Sequence, residues 1–176
     1  MTKEYVFAGF GGQGVLTAGM VLAYAGAAKD LDVTWIPSYG AEMRGGTANC
    51  TVKISDEEVP SPFPKHLDVL IAMNEPSLFK FRDNVKKGGH IIINSSIVKN
   101  IPVVEGVNVH AVPMNDIAFE GGSARSANLC ALGAAVACSD GIVNADEVAE
   151  SIKGYFKKIK DNSQSISIMK AGYEAI

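Results

Sequence analysis

The strand–turn–helix unit near the start of the chain constrains the fold more than any other stretch. Tyr5-Val6-Phe7-Ala8 is a short apolar strand, and Gly9-Phe10-Gly11-Gly12-Gln13-Gly14 follows it directly. Val15 to Ala28 then carries Leu16, Met20 and Ala23 at helical spacing. Gly9, Gly11 and Gly14 fit G-x-G-x-x-G in the strand-to-helix context this pattern requires. Glycines let the backbone turn tightly and come close to a ligand, and a helix start offers N–H groups and partial positive charge to an anion. Two readings stand side by side. Gly9, Gly11, Gly12, Gln13 and Gly14 form a phosphate or carboxylate cradle, or the turn serves tight strand-to-helix packing with nothing bound.

The rest of the chain continues the alternation. Val33–Ile36 reads as the next strand, and Thr47–Ser55 alternates apolar and polar side chains as a half-exposed strand does. Asp56-Glu57-Glu58 reads as a hairpin turn into Val59, and the three prolines of Pro60–Pro64 exclude regular structure. Leu67–Met73 is nearly continuously apolar, as a central parallel strand is. Asn74 caps a helix from Glu75-Pro76-Ser77 to about Val85, which Lys86-Lys87-Gly88-Gly89 closes. Strands at His90–Asn94 and Val107–Val112 follow, then helices at Asn115–Phe119, Ala127–Ser139, Asn144–Lys160 with a capping-box start, and Gln164–Ile176. The pattern predicts a three-layer, Rossmann-like α/β fold with a mainly parallel sheet and a short antiparallel hairpin insertion, in one domain over residues 1–176. The Gly9 turn, the Ser38–Gly46 loop and Asn74 all follow strands, so they are expected on one sheet edge, where such folds bind ligands.

The loop after the second strand argues against the usual ligand of such a turn. A dinucleotide domain carries an acidic residue near that strand end to hold a ribose hydroxyl. Here the strand runs into Pro37, then Ser38-Tyr39-Gly40-Ala41-Glu42-Met43-Arg44-Gly45-Gly46. Ser38, Tyr39, Glu42, Arg44 and Gly45 make this a recognition loop for a composite site or interface. Arg44 can pair with a carboxylate or phosphate, or with Glu42 alone. Asn94-Ser95-Ser96 and Ser123–Arg125 are weaker candidates at other element ends. Lys86-Lys87 and Lys157-Lys158 read as solvated helix ends.

Composition excludes several classes. A net charge of −3 leaves no general attraction to nucleic acid or to an anionic membrane. The longest apolar runs are too short and too interrupted to span a bilayer, and Met1-Thr2-Lys3-Glu4 leads straight into a strand with no fitting signal peptide. The cytoplasm is the expected location. Three cysteines, Cys50, Cys130 and Cys138, cannot make a self-contained four-thiolate cluster, and each reads as a buried, inert thiol. His66, His90 and His110 are scattered with no H-x-x-x-H pair, so no metal site is expected.

Taken together, G-F-G-G-Q-G-V at Gly9–Val15, P-S-Y-G-A-E-M-R-G-G-T-A-N-C at Pro37–Cys50, Ser61-Pro62 and D-V-L-I-A-M-N at Asp68–Asn74 resemble the gamma subunit of the 2-oxoacid:ferredoxin oxidoreductases. The Ser38-Tyr39-Gly40 and Arg44–Thr47 version of the loop is most similar to the 2-oxoglutarate branch, with the 2-oxoisovalerate branch next, whereas the pyruvate branch usually has a different loop there. The resemblance implies a share in the oxidative decarboxylation of a 2-oxo acid with coenzyme A, giving acyl-CoA, carbon dioxide and reduced ferredoxin. Thiamine diphosphate, Mg2+ and iron–sulfur clusters would lie on thiamine-binding alpha and beta chains and a ferredoxin-like delta chain. This chain lacks the G-D-G…N-N thiamine motif, so it would bind none of these cofactors alone and would be inactive alone. A free-standing nucleotide-binding protein and a non-catalytic scaffold are the competing readings.

Overall fold

The structure is a computed structural model that describes residues 1–40 and 46–176. Its strands are β1 (Thr2–Phe10), β2 (Asp32–Tyr39), β3 (Thr47–Ser55), β4 (Leu67–Ala72), β5 (Val85–Asn94) and β6 (Asn108–Val112). The helices are α1 (Val15–Ala27), α2 (Glu75–Phe81), α3 (Met114–Glu120), α4 (Ala127–Ala137), α5 (Ala145–Tyr155) and α6 (Ser163–Glu174), with a 3-10 turn at Arg82–Asn84.

The strands form one six-stranded sheet in the order β2-β3-β1-β4-β5-β6. β1, β4, β5 and β6 pair in parallel, as their apolar runs require. β3 is the antiparallel element. It lies between β1 and β2 and pairs with both along their length, Phe7 opposite Cys50 and Trp35 opposite Val52. The hairpin therefore joins β2 to β3. No strand follows Asp56-Glu57-Glu58, which corrects the turn expected there: Val59 N–H instead donates to Asp32 Oδ2 at 2.6 Å.

Side-chain alternation gives the sheet two unequal faces. Tyr5, Phe7, Cys50, Val52, Val69, Ile71, Ile92 and Val112 face a large core closed by α1, α4, α5 and α6. Val6, Ala8, Leu70, Ala72, Ile91 and Ile93 face a smaller core closed by Leu78 of α2 and by Val98. β4 is buried along its whole length, which is why its sequence is so uniformly apolar.

Two helix ends differ from expectation. α2 stops at Phe81, and Lys86-Lys87-Gly88-Gly89 belongs to β5 rather than to a helix cap. Gly88 does have the positive φ, 79°, that a cap would use. Here it sits in an irregular strand: Leu67 pairs with Val85 but Val69 pairs with His90, so extra residues of β5 bulge between them. α5 ends at Tyr155, which leaves Lys157-Lys158 beyond the helix. Its N-terminus closes as the sequence indicates, with a capping box between Asn144 and Glu147.

Candidate functional site

The glycine turn is built by packing before it is built for binding. A Cβ on Gly9 would lie 2.6 Å from Gln13 Oε1 and 2.9 Å from Met73 Cβ. Gly14 is the N-cap of α1 at φ 73°, and a Cβ there would lie 2.6 Å from Asn128 Nδ2, which donates to Gly14 O at 3.2 Å. Gly11 N–H is already engaged, donating to Gly46 O at 2.8 Å across the loop. Gly12 is different. It is exposed, at φ 93°, with nothing within 4 Å of a Cβ.

Gln13 is the keystone of the turn. Its Oε1 accepts from Phe10 N–H at 2.6 Å and from Asn74 Nδ2 at 3.2 Å, and its Nε2 donates to Met73 O at 3.2 Å. The side chain expected to reach a ligand is thus committed to tying β1 to the end of β4. Asn74 is the helix cap the sequence indicated: its Oδ1 accepts Ser77 N–H at 2.9 Å, and the residue is buried.

The edge where β1, β4, β5 and β6 end gathers these groups, as the topology rule requires. Asn94 is fully buried, and its Nδ2 donates to Asn115 Oδ1 at 2.7 Å. Ser96 Oγ donates to Asp116 Oδ2 at 2.7 Å and accepts Asn115 N–H at 3.2 Å. A cavity of about 310 Å³ opens among them, lined by Gly12, Gln13, Met73, Asn115, Arg125 and the first residue of α4, Ala127. α4 begins at Ala127 with no side-chain cap. Its first N–H groups, with Arg125 in the lining, give the cavity a positive bias.

Of the recognition loop, Ser38 and Tyr39 close β2 on this same edge, opposite Asn49 and Ala48. Tyr39 is 70% exposed. Glu42, Arg44 and Gly45 lie outside the described residues. Asn115 and Asn128 were missed in the sequence. Asn128 is the one with a legible signal, as a polar side chain in the first turn of an Ala-rich helix.

Two of the three histidines are neighbours in space. β5 and β6 bring His90 Nδ1 to 3.0 Å from His110 Nε2, with Cys138 beside them at the end of α4. Burial lowers the pKa of both imidazoles and pushes the Cys138 thiol up to about 12. This cluster lies in the middle of β5 and β6 rather than at the strand ends beside the glycine turn.

The cofactors implied by the resemblance fit the chain unequally. Cys50 on β3 and Cys130 and Cys138 along α4 are all buried, and three thiols cannot hold a four-thiolate cluster. Among the described residues the cavity beside Gly12 has no carboxylate in its lining, and those residues do not suit a magnesium diphosphate. It does suit the anionic arm of a molecule seated elsewhere.

Comparison with known proteins agrees with this architecture. The family profile described as pyruvate ferredoxin/flavodoxin oxidoreductase matches residues 4–175. The ketoisovalerate oxidoreductase subunit VorA of Methanothermobacter thermautotrophicus is 42% identical over 172 residues, covering 95% of this chain and 35% of that protein. The keto/oxoacid ferredoxin oxidoreductase gamma subunit of Geobacter sulfurreducens superposes with a TM-score of 0.82 at 27% identity, covering 98% of this chain and 97% of that one. The 2-oxoglutarate:ferredoxin oxidoreductase of Magnetococcus marinus, solved with 2-oxoglutarate, coenzyme A and succinyl-CoA, gives 0.84 at 26% identity, with 99% of this chain on 31% of that chain. The chain thus spans about a third of the VorA relative and nearly the whole of a separate gamma subunit. It belongs to the pyruvate ferredoxin/flavodoxin oxidoreductase family and corresponds to the gamma subunit of the 2-oxoacid members.

Proposed function

We propose that this chain is the gamma subunit of a cytoplasmic, thiamine diphosphate-dependent 2-oxoacid:ferredoxin oxidoreductase. The assembled enzyme would convert a 2-oxo acid and coenzyme A to acyl-CoA and carbon dioxide, passing electrons to ferredoxin. Its substrate is 2-oxoglutarate, with 2-oxoisovalerate or pyruvate as the alternatives. Thiamine diphosphate and Mg2+ on the alpha and beta chains, with clusters on a ferredoxin-like delta chain, would supply decarboxylation and electron transfer. The residues of this chain would bind and orient. The cavity of about 310 Å³ beside Gly12 carries the proposal. Gly12 allows close backbone approach, and Arg125 with the start of α4 attracts an anionic group of the substrate or of coenzyme A. Tyr39, with Glu42, Arg44 and Gly45 in the adjoining loop, would complete the site against a partner chain.

The topology disfavours a free-standing dinucleotide enzyme. In the doubly wound order the second strand adjoins the first, so its end meets the ribose. Here β3 occupies that place.

The test is anaerobic co-purification from the native cytoplasm, followed by coenzyme A-dependent dye reduction with each of the three 2-oxo acids. Recovery of thiamine- and cluster-bearing partners with turnover supports the proposal, and the preferred acid identifies the substrate. Recovery of the chain alone with nucleotide bound overturns it. Arg125→Ala in the complex should raise the KM of the anion it holds by about ten- to a hundredfold, the worth of a charged hydrogen bond. An unchanged KM for both the 2-oxo acid and coenzyme A would place anion recognition elsewhere.

A further inference from the structure

The pairing register brings together three metal-ligating side chains that lie far apart in sequence. His90 pairs with Asn108, and Ile92 pairs with His110, so the two histidines are diagonal neighbours on adjacent parallel strands. They share the sheet face that α4 covers, and Cys138 is the C-cap of that helix. His90 Nδ1 and His110 Nε2 are 3.0 Å apart, with the rings stacked at 18° and their centroids separated by 5.3 Å. One nitrogen of each ring and Cys138 Sγ all lie within 4.8 Å of one another. Each residue comes from a different element, so a shared ligand would fasten β5, β6 and α4 together.

We propose that His90, His110 and Cys138 form a three-ligand site for a zinc-type divalent cation, with a fourth position open to solvent. Two imidazoles and a thiolate are a borderline-soft donor set that suits zinc or cobalt rather than magnesium or calcium. With bonds of about 2.0–2.1 Å to nitrogen and about 2.3 Å to sulfur, a tetrahedral ion needs donors about 3.3–3.7 Å apart. The imidazole nitrogens at 3.0 Å and a sulfur within 4.8 Å of them stand within about 1.5 Å of that range. Cys138 is 2% exposed, whereas both histidines are partly exposed, which gives an entry path on the imidazole side. Asp140 and Asp68 act on His90 electrostatically and are themselves ion-paired, Asp140 with Lys3, and Asp68 with Lys3 and Lys86. The carboxylates place negative charge around the site while the lysines keep them from competing as ligands. Binding exchanges the Cys138 S–H bond for a sulfur–metal bond and releases the proton to solvent, with no change of oxidation state. This site does not depend on the proposed oxidoreductase role, and it lies away from the glycine turn.

The test uses the tag-free full-length chain, stripped with a chelator and titrated with cobalt. The expected result is a thiolate-to-cobalt charge-transfer band and tetrahedral visible bands that saturate at one equivalent and are displaced by zinc. Zinc should also raise the melting temperature in a concentration-dependent way. Cys138→Ser should abolish the charge-transfer band, and His110→Gln should weaken cobalt binding by more than about tenfold. Cys130→Ala should leave the spectrum intact. If Cys138→Ser does not fold, the His90→Gln, His110→Gln double variant carries the test through loss of both bands. A band that survives Cys138→Ser, no band at stoichiometric cobalt, or a melting temperature indifferent to zinc would overturn the proposal and leave a hydrogen-bonded imidazole pair.

Discussion

Single residues set the geometry of the glycine turn more than its affinity for anything. Gly14 combines a left-handed backbone with a direct collision against Asn128, so Gly14→Ala should cost about 1–3 kcal/mol, read by denaturant unfolding of the isolated chain. Gly12→Ala meets no such neighbour and should cost less. Equal losses at the two positions would contradict the division between a packed and an open glycine. At the other edge of the sheet, Asp68 is 4% exposed, its Oδ2 accepts Glu4 N–H at 2.9 Å, and its carboxylate faces the buried ammonium of Lys3. Asp68→Ala should destabilise the chain by about 3–5 kcal/mol, because a buried cation loses a partner. A change below about 1 kcal/mol would mean that Asp140 alone satisfies Lys3. The motif itself was legible in the sequence because glycine spacing is local. The commitment of Gln13 to Phe10, Met73 and Asn74 was not, since two of its three partners lie on another strand's end.

Among the elements, the tightest contact is between α4 and α6. A Cβ on Gly133 would lie 1.8 Å from Met169 O, and one on Gly172 would lie 2.0 Å from Cys130 O. The helices touch backbone to backbone through reciprocal glycines. Gly172→Ala should therefore force them apart and cost about 3 kcal/mol or more, visible as a lowered melting temperature. An unchanged melting temperature would show that α6 shifts without penalty. The order and kind of most elements could be read from periodicity and caps, as at Asn74 and Asn144. β5 defeated that reading. Lys86–Gly89 has the composition of a helix end, and only pairing with β4 reveals it as a bulged strand. The histidine cluster was hidden for the same reason: strand register, not sequence spacing, makes His90 and His110 neighbours.

At the scale of the whole molecule, the unequal covering of the two sheet faces organises stability. β1, β4 and the Ile91–Asn94 half of β5 are flanked on both sides and largely buried, while β2 is an outer strand with partly exposed side chains. Native-state hydrogen exchange should find the slowest amides in β1, β4 and β5 and faster exchange in β2. Protection of β2 equal to that of β4 would argue against this hierarchy. Among the described residues no helix is long and apolar enough to cross a membrane. Tyr39, Phe63, Val103 and Phe119 nevertheless remain largely exposed, a distribution that suits a chain working among partners.

The position of β3 also bears on how the molecule is assembled in time. Of the six strands, β1 emerges from the ribosome before the others yet is a middle strand of the sheet, and neither of its neighbours, Thr47–Ser55 or Leu67–Ala72, exists when it does. Sequential growth from one side is therefore ruled out by connectivity. β2 and β3 are close in sequence and can pair locally first, and that ribbon must then dock sideways onto a waiting β1. Until it does, Tyr5 to Ala8 is an uncovered apolar segment with two open edges, the moment at which a nascent chain of this kind most needs protection from its own copies.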